Sequence, residues 1–278
     1  MRTRFAPSPT GYLHLGHAYS ALTAFELAQA SKGTCLLRIE DIDTPRCKPE
    51  FEKAIYEDLH WLGLSWPEPV MRQSERMDAY SRALNALSEL GVTYPCSCNR
   101  GDIKKALTAA QEGDVPGADG IRYPGTCRTR GADLNKPLAI RLHLEKALRN
   151  LPDPITYSET FSGTKKAVST SHATLINQVG DIVLARKDIG TSYHLSVVVD
   201  DAAQSINTVV RGEDMADQTP IHRILQQLLM LPEPQYFHHE LVRDEDGKRL
   251  AKRDDARAIR KYREDGLSTN EVNALLRL

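Results

Sequence analysis

The first 39 residues alternate between patterns typical of strands and of a helix. Residues 34–39 are mostly apolar and lack Gly and Pro, and residues 3–5 lead into a Pro/Gly-rich turn, so both segments are predicted to be strands. Between them, small and apolar side chains recur three and four apart over residues 16–30, which predicts a helix with Gly33 at its C-terminal cap. Such a short strand–helix–strand unit joins parallel strands. The sequence therefore predicts an α/β fold built on a parallel sheet.

Apolar stripes predict further helices along the chain. One covers residues 49–62, and a second covers residues 75–90 with Ser74 as its N-cap. Thr219 is expected to cap another helix, with Pro220 at the first helical position. Helices in these places fit the α/β prediction.

Two more strands and an insertion are expected in the second part of the chain. A run of Leu, Ser and Val within residues 193–200 predicts a buried strand, and residues 206–211 predict another. Residues 94–150 have a different texture, because Gly, Pro and three of the five cysteines cluster there. We therefore expect a main domain made of residues 1–93 and 151–235, with an inserted module at 94–150.

Composition limits the partners of the chain. Lys and Arg number 36 against 37 Asp and Glu, so the chain does not coat nucleic acid non-specifically and any such contact must use a local patch. Residues 243–263 are rich in Lys and Arg and are either that patch or a solvated face. The sequence shows no apolar run of membrane-spanning length and no secretory signal. Cytoplasmic localisation without membrane contact is expected.

The motif His14-Leu15-Gly16-His17 stands between the first predicted strand and the first predicted helix. The glycine lets the backbone approach a phosphate closely, and a helix start offers N–H groups and partial positive charge. The two histidines can donate hydrogen bonds to phosphoryl oxygens. The alternative is two incidental histidines in a polar turn, but the preceding stretch of residues 4–11 makes the combination far more specific.

A second motif, Gly247-Lys248-Arg249-Leu250-Ala251-Lys252-Arg253, follows an acidic turn. A loop that carries several cations can close on a polyphosphate as charge develops during a reaction. The alternative is the solvated start of a basic helix.

Together the two motifs resemble the ATP site of class I aminoacyl-tRNA synthetases. Residues 14–17 are similar to their HIGH motif, and residues 249–253 to their KMSKS motif, with Lys252 at its second lysine. Arg249 and Ala251 stand where KMSKS usually has Lys and Ser. Residues 4–11, 38–41 and 210–214, with Tyr193 and the stretch 198–201, resemble the glutamyl branch. The resemblance implies an ATP-dependent ligase with a Rossmann-like parallel sheet.

The resemblance also implies a role for each motif residue. The catalytic residues are His14, His17 and Lys252, and Mg²⁺ accompanies the ATP. Those that contact ATP are His14, Gly16, His17, Arg249, Leu250 and Lys252.

A pocket for glutamate needs an acid for the ammonium group and bases for the side-chain carboxylate, because the α-carboxylate must remain able to attack ATP. By resemblance the acid is Glu40, and the bases are Arg4 and Arg211, whose forked guanidinium groups suit a carboxylate. The other residues of the implied pocket are Phe5, Ala6, Pro7, Ser8 and Tyr193.

Length separates two branches of the glutamyl family. The chain ends 25 residues after Arg253, whereas full glutamyl-tRNA synthetases continue into a long helical anticodon-binding region. We expect residues 236–278 to hold only the KMSKS-like loop and a short C-terminal helical segment, without an anticodon-binding domain. The chain more closely resembles the short paralogues, the glutamyl-queuosine tRNA(Asp) synthetases.

That resemblance implies activation of L-glutamate with ATP in the absence of tRNA. Glutamate is then transferred to the queuosine base in the anticodon of tRNA(Asp), so the implied partners are ATP, L-glutamate and queuosine-bearing tRNA(Asp), with a monomeric enzyme. Three alternatives stay open from the sequence. They are the catalytic core of a glutamyl-tRNA synthetase that charges tRNA(Glu), a small nucleotidyltransferase that shares the first motif, and a non-enzymatic paralogue.

Three cysteines, Cys96, Cys98 and Cys127, have spacing that can close three sides of a tetrahedral zinc site. Thiolates favour zinc in the cytosol. Reduced, packed cysteines are the alternative. The resemblance to the short paralogues implies one structural Zn²⁺ per chain, with Tyr123 as the fourth ligand.

Overall fold

The computed structural model describes residues 1–109, 116–117, 120–161, 163–242 and 257–276. It begins with the predicted strand–helix–strand unit, formed by β1 (Arg2–Phe5), α1 (Leu15–Ala30) and β2 (Thr34–Ile39). β1 and β2 are parallel, and β3 (Met71–Arg72) extends the sheet beyond β2 in the same direction. The parallel sheet expected from the sequence is confirmed.

The end of α1 differs in detail from the expected glycine cap. Ser31 is the C-cap, and Lys32 rather than Gly33 takes the left-handed conformation, with φ of 52°. Gly33 is required for another reason, because a Cβ at this position would collide with the backbone of Met1.

The two helices predicted after β2 are α2 (Pro49–Trp61) and α3 (Met77–Glu89). Ser74 does not cap α3, because it lies in a 3₁₀ turn, Gln73–Arg76, that precedes the helix. The N–H and hydroxyl of Ser74 instead donate to the two carboxylate oxygens of Asp41, at 2.8 and 2.6 Å. A tertiary contact has therefore replaced the local cap.

The prediction of a strand at residues 193–200 is wrong, because this segment forms helix α8 (Tyr193–Ala203). The side chain of Ser192 caps it by accepting from Leu195 N–H. The helix is buried on almost every side, so polar residues such as Ser196 and Asp200 are enclosed with the valines. A helix without a solvated face shows no 3.6-residue period, and an apolar run of this kind is indistinguishable from a buried strand by pattern.

A second sheet has the strand order β11-β12-β8-β9. β11 pairs with β12 and β12 with β8 in parallel, whereas β8 and β9 form an antiparallel hairpin. The expected strand at residues 206–211 is confirmed as β11. These strands are β8 (Ile155–Phe161), β9 (Thr164–Thr170), β11 (Thr208–Gly212) and β12 (Gln235–His239).

Hydrogen bonds at Asn207 place the edge of this sheet beside β1. Arg2 N–H donates to the Asn207 side chain at 2.8 Å, and Asn207 N–H donates back to the Arg2 carbonyl at 3.1 Å. The strand order across both sheets is thus β3-β2-β1 followed by β11-β12-β8. In such open α/β sheets, ligands bind beyond the carboxyl ends of the strands where the order reverses. That point lies here between Phe5 and Gly212.

Helix α9 (Thr219–Leu228) follows β11. Its N-cap is Gln218, one residue earlier than expected, which places Thr219 at the first helical position and Pro220 at the second. The Thr219 hydroxyl is consequently available to a side chain of the sheet, as described below.

A third, antiparallel sheet has the order β10-β7-β4. Its strands are β4 (Thr93–Cys96), β7 (Ala139–Leu142) and β10 (Val183–Ala185). The remaining elements of residues 100–178 are α4 (Arg100–Ala109), β5 (Pro116–Gly117), β6 (Gly120–Ile121), α5 (Thr126–Arg130), α6 (Leu144–Leu148) and α7 (His172–Gln178).

The C-terminal helices α10 (Ile259–Glu264) and α11 (Thr269–Leu276) pack on the N-terminal unit. Ile259 and Val272 are fully buried in one apolar cluster with residues of β1, α1, β2 and α2. Burying such side chains is the main contribution to stability. In the part of the chain that the structure describes, every helix is too short or too polar to span a membrane.

Candidate functional site

The two histidines of the first motif cap helix α1. Nδ1 of His14, the N-cap, accepts from Gly16 N–H at 3.1 Å, and Nδ1 of His17 accepts from His14 N–H at 3.1 Å. A neutral imidazole that accepts at Nδ1 carries its proton on Nε2. Each ring therefore carries its proton on Nε2, and both rings lie at the positive end of the helix dipole. That arrangement is suited to an anion such as a phosphate.

The segment after the second motif is joined to the start of α1. Ile259 N–H donates to the Leu13 carbonyl at 2.8 Å, and Ala258 forms an isolated antiparallel bridge with His14. Arg249, Leu250 and Lys252, which were predicted to contact ATP, lie outside the described residues. Ala258, the N-cap of α10, and Ile259, its first residue, lie against Leu13 and His14.

Four buried charged residues from β1, β2, the end of β2 and α8 form a cluster, which we call the Arg4–Asp201 cluster: Arg4, Arg38, Glu40 and Asp201. Arg4 donates to both carboxylate oxygens of Asp201, at 2.9 and 3.3 Å. Arg38 donates to Asp201 at 2.7 Å and to Glu40 at 3.0 Å. Arg4 and Glu40, the two predicted pocket residues in this cluster, are linked through Asp201 and Arg38.

Electrostatics distinguish the two acids of the cluster. Burial raises the pKa of Glu40, although Arg38 and Arg4 oppose this. Burial also opposes ionisation of Asp201, but the two arginines outweigh it and hold the pKa of that carboxyl below its usual range. Ionisation is therefore favoured more strongly at Asp201 than at Glu40.

Arg211 lies at the end of β11, and neutral groups surround its guanidinium. Its Nε donates to His238 Nε2 at 3.1 Å, and its two terminal nitrogens donate to His222 Nδ1 at 3.2 Å and Thr219 Oγ1 at 2.6 Å. Burial, reinforced by the charge of Arg211, lowers the pKa of His238 to about 4 and that of His222 well below its usual value. The three groups hydrogen-bonded to this buried cation therefore carry no negative charge.

Tyr193, the first residue of α8, lies within electrostatic range of both groups of charges. Burial raises the pKa of its hydroxyl, and Arg211, Glu40, Arg4 and Asp201 all act on it. Its ring lies 5.6 Å from that of His222, centroid to centroid. Tyr193 is thus close enough to both Arg211 and the Arg4–Asp201 cluster to be affected by their charges.

The other predicted pocket residues continue the line of β1. Phe5 is buried at the end of the strand, and the Pro7 carbonyl accepts from Glu40 N–H at 3.0 Å. Ala6 and Ser8 are half-buried, and the Ser8 carbonyl accepts from Thr10 N–H. The turn therefore lies against the end of β2, beside Glu40.

Sequence reasoning gives no role to Arg38, Asp201 or the histidines around Arg211. The available signal for Arg38 is a charge inside an apolar strand segment, and for Asp201 an acid following a run of valines. Charged residues are almost never buried unless they are paired. Their partners lie far away in sequence, so the pattern alone could not identify them.

Cys96, Cys98 and Cys127 come together, with their Sγ atoms all within 4.8 Å of one another. Cys98 Sγ lies 3.4 Å from Cys127 Sγ, and Tyr123 Oη lies 3.5 Å from Cys96 Sγ and 3.6 Å from Cys98 Sγ. Zinc–thiolate bonds in a tetrahedral site place sulfur atoms about 3.8 Å apart. The donor set and its spacing can therefore hold a metal ion.

Hydrogen bonds in this cysteine cluster favour a thiolate at Cys127, whereas burial raises the pKa of the Cys98 thiol to about 11. Burial opposes ionisation of Cys127, but hydrogen bonds from Tyr123, Ser97 and Cys98 outweigh it and lower the pKa of the thiol to about 6. Arg141 donates to Cys96 Sγ at 3.3 Å, and its guanidinium lies 3.9 Å from the centroid of the Tyr123 ring. A thiolate is the form of cysteine that binds metal.

The fold and the site define a class of enzyme. Over residues 1–278 the chain matches the family described as tRNA synthetases class I (E and Q), catalytic domain. The chain belongs to this family of aminoacyl-tRNA synthetases, which are ligases. The family match favours the predicted aminoacyl-tRNA synthetase over the alternative of a small nucleotidyltransferase.

Particular relatives confirm the expected likeness to the short paralogues. The chain is 51% identical to the "Glutamyl-Q tRNA(Asp) synthetase" of Rhodobacter capsulatus over the full length of both. It is 37% identical to the "Glutamate--tRNA ligase" of Aquifex aeolicus, covering 96% of this chain and 54% of the ligase. The crystal structure of glutamate-tRNA synthetase from Elizabethkingia anophelis superposes with a TM-score of 0.73 at 27% identity, covering 96% of this chain and 54% of that one. The chain thus spans about half the length of these two glutamate ligases.

Proposed function

We propose that this enzyme activates L-glutamate with ATP in the absence of tRNA and then transfers it to the queuosine base of tRNA(Asp). The observation that carries the glutamate assignment is the buried Arg211, whose three hydrogen-bonded partners are all neutral. A desolvated guanidinium without an anion is unfavourable, and a carboxylate bound to it in a fork restores the balance. The side-chain carboxylate of glutamate would supply that anion.

The rest of the pocket suits the remaining groups of glutamate. Glu40 would receive the ammonium, whose charge would also favour the ionised form of this acid. Tyr193, which is affected by the charges of both Glu40 and Arg211, would donate a hydrogen bond to the substrate. Arg4 is already held by Asp201 through two hydrogen bonds, so we assign it to the edge of the carboxylate site. The α-carboxylate would then remain free to react.

In the first step an oxygen of the glutamate α-carboxylate attacks the α-phosphorus of ATP. The bond from that phosphorus to the bridging oxygen breaks, and pyrophosphate leaves, with the Mg²⁺ that arrives with ATP offsetting the phosphate charge. The Nε2–H groups of His14 and His17 would stabilise the phosphoryl oxygens, together with Lys252, Arg249 and the backbone at Gly16 and Leu250. A hydroxyl of queuosine then attacks the glutamyl carbonyl and displaces AMP.

The relatives support the choice of acceptor. The relative named glutamyl-Q tRNA(Asp) synthetase is 51% identical to this chain over the full length of both proteins. A second candidate function, charging of tRNA(Glu), is favoured by the 37% identity to a glutamate–tRNA ligase, but the chain spans only 54% of that enzyme.

Two linked measurements test the proposed function. The purified enzyme should exchange labelled pyrophosphate into ATP when glutamate is added and no tRNA is present. It should also transfer labelled glutamate to total tRNA from cells that make queuosine, but not to tRNA from cells that lack it. Exchange that requires tRNA, or equal charging of both tRNA preparations, would establish the tRNA(Glu) alternative instead.

The cysteine cluster is proposed to hold one structural Zn²⁺ through Cys96, Cys98, Tyr123 and Cys127. The metal would join β4, which ends at Cys96, to α5, which carries Cys127. Bound zinc contributes its binding free energy to folding.

Elemental analysis should find one zinc per chain, and Cys98→Ser should remove it. The variant should melt at least about 5 °C lower, because a structural metal contributes several kcal/mol to the free energy of unfolding. Cys47→Ser is the matched control, since Cys47 is a half-buried cysteine outside the cluster, and it should keep both the metal and the melting temperature. Metal-free wild-type protein that melts like the zinc-loaded form would contradict the proposal.

A further inference from the structure

Three adjacent strands carry a row of buried polar side chains that ends at Arg211. In the parallel pairing of β11 with β12, Arg211 stands opposite His238, and β12 pairs in turn with β8, the strand of Glu159. His238 is fully buried, and Glu159 is 6% exposed. Polar groups in such positions require hydrogen-bond partners.

The hydrogen bonds along the row fix the tautomer of His238. An arginine can only donate, so His238 Nε2 must accept from Arg211 Nε. The ring proton of neutral His238 is then on Nδ1, from which it is donated to Glu159 Oε1 at 2.5 Å. The other oxygen of Glu159 lies 3.4 Å from Lys166 Nζ, at the exposed edge of the hairpin. Glu159 thus selects the ring form that offers Arg211 an acceptor.

We propose that His238 is a positioning residue for Arg211 and that Glu159 acts through it. This inference rests on the proposed function, in which Arg211 binds the side-chain carboxylate of glutamate. With His238 in place, Nε of Arg211 is held on the sheet, and the guanidinium is restricted to one orientation. With the opposite tautomer, two N–H groups would face each other and the contact would be lost.

His222 restricts the guanidinium from a second direction without adding negative charge. Its Nδ1 accepts from Arg211, so its Nε2–H donates to His194 Nδ1 at 3.2 Å. The side chains that accept from Arg211 at these two places are neutral imidazoles and not carboxylates, and this difference matters for anion binding. A carboxylate at either place would neutralise Arg211 and compete with the anionic substrate, whereas a neutral ring holds the fork and leaves its charge to the ligand.

A positioning role and a merely structural role for His238 predict different kinetics. His238→Leu removes the acceptor but keeps an apolar side chain in the sheet. It should raise the KM for glutamate about tenfold or more, the effect expected for a lost hydrogen bond to a charged group, and leave the KM for ATP within about twofold. Its preference for glutamate over glutamine, measured as the ratio of kcat/KM values in pyrophosphate exchange, should fall by a similar factor.

The conservative variant provides the rescue. His238→Gln keeps an acceptor near the position of Nε2, and it should recover most of the glutamate KM and of the selectivity. Glu159→Ala should have a KM for glutamate between those of His238→Leu and His238→Gln, because it leaves the His238 ring in place but no longer fixes its tautomer. It also serves as the second test if His238→Leu does not fold. The exposed His60→Leu, on α2, should match the wild type.

The outcomes separate this inference from the proposed function. If the wild-type protein shows no glutamate-dependent exchange, the proposed function itself fails. If the wild type exchanges normally and both His238→Leu and Glu159→Ala keep its KM for glutamate and its selectivity, His238 does not position Arg211. Equal losses for glutamate, glutamine and ATP, together with a lower melting temperature and no rescue by His238→Gln, would show a structural role only.

Discussion

Replacing Arg211 by alanine should raise the KM for glutamate by roughly two orders of magnitude while changing the KM for ATP by less than about threefold. Truncating one partner of a buried charge pair costs on the order of 2–5 kcal/mol, or about 30-fold to several thousandfold in affinity. The large value is expected because Arg211 is buried and its present hydrogen-bond partners are neutral. Steady-state pyrophosphate exchange at varied glutamate and at varied ATP measures both constants.

Two further variants make this result specific. Arg211→Lys keeps the positive charge but not the forked geometry, so it should recover only part of the affinity. Arg223 on α9 is also buried but is paired with Glu233 at 2.9 Å, and Arg223→Ala should lower stability without changing the glutamate KM. An Arg211→Ala enzyme with the wild-type glutamate KM would remove Arg211 from the pocket.

The second large effect is expected in catalysis rather than in binding. His17→Ala and Lys252→Ala should each lower kcat for pyrophosphate exchange by roughly 10²–10³, the scale of one lost electrostatic stabiliser of a transition state. His17 is ordered for this task by its hydrogen bond from His14 N–H, which leaves the proton on Nε2. The KM for glutamate should hardly change, because neither residue is assigned to the amino acid.

Preformed glutamyl-adenylate separates the two halves of the reaction. Supplied with it, both variants should transfer glutamate to tRNA as fast as the wild type, since the activation barrier has already been crossed. His60→Ala, which alters an exposed histidine of α2, is the control and should exchange normally. Variants that fail equally with preformed adenylate would show that these residues hold the tRNA or the fold instead.

The parts of the fold that could be predicted are those with a local cause. The Pro/Gly-rich turn after β1, the period of α1 and the apolar run of β2 all act within about 40 residues, and the strand–helix–strand unit formed as expected. The run of valines in α8 shows the limit of this reasoning. Whether such a run becomes a strand or a helix depends on what surrounds it, and α8 is enclosed on nearly all sides.

The candidate site divides in the same way. His14 and His17 stand at a helix start that the sequence itself indicates, so their placement could be predicted. The fact that Arg4 is tied to Asp201, and Arg211 to His238, depends on pairs of side chains from distant segments. Neither the hydrophobic periodicity nor the amino-acid composition of the sequence indicates which distant residues pair. Resemblance supplied Arg4, Glu40, Tyr193 and Arg211 as candidates, and their roles remain predictions.

The Arg4–Asp201 cluster also has a consequence for how the enzyme is made. Arg4 and Arg38 are joined to an acid 197 and 163 residues further along the chain. Contacts of such long range form slowly, and a ribosome releases the N-terminal segment first. Until α8 has been synthesised, Arg4 lacks its partner Asp201 and Arg38 has only Glu40, so burying both arginines at that stage would be unfavourable. We therefore expect the nascent chain to complete its pocket late, after residues 193–212 have been synthesised and can pack on β1 and β2.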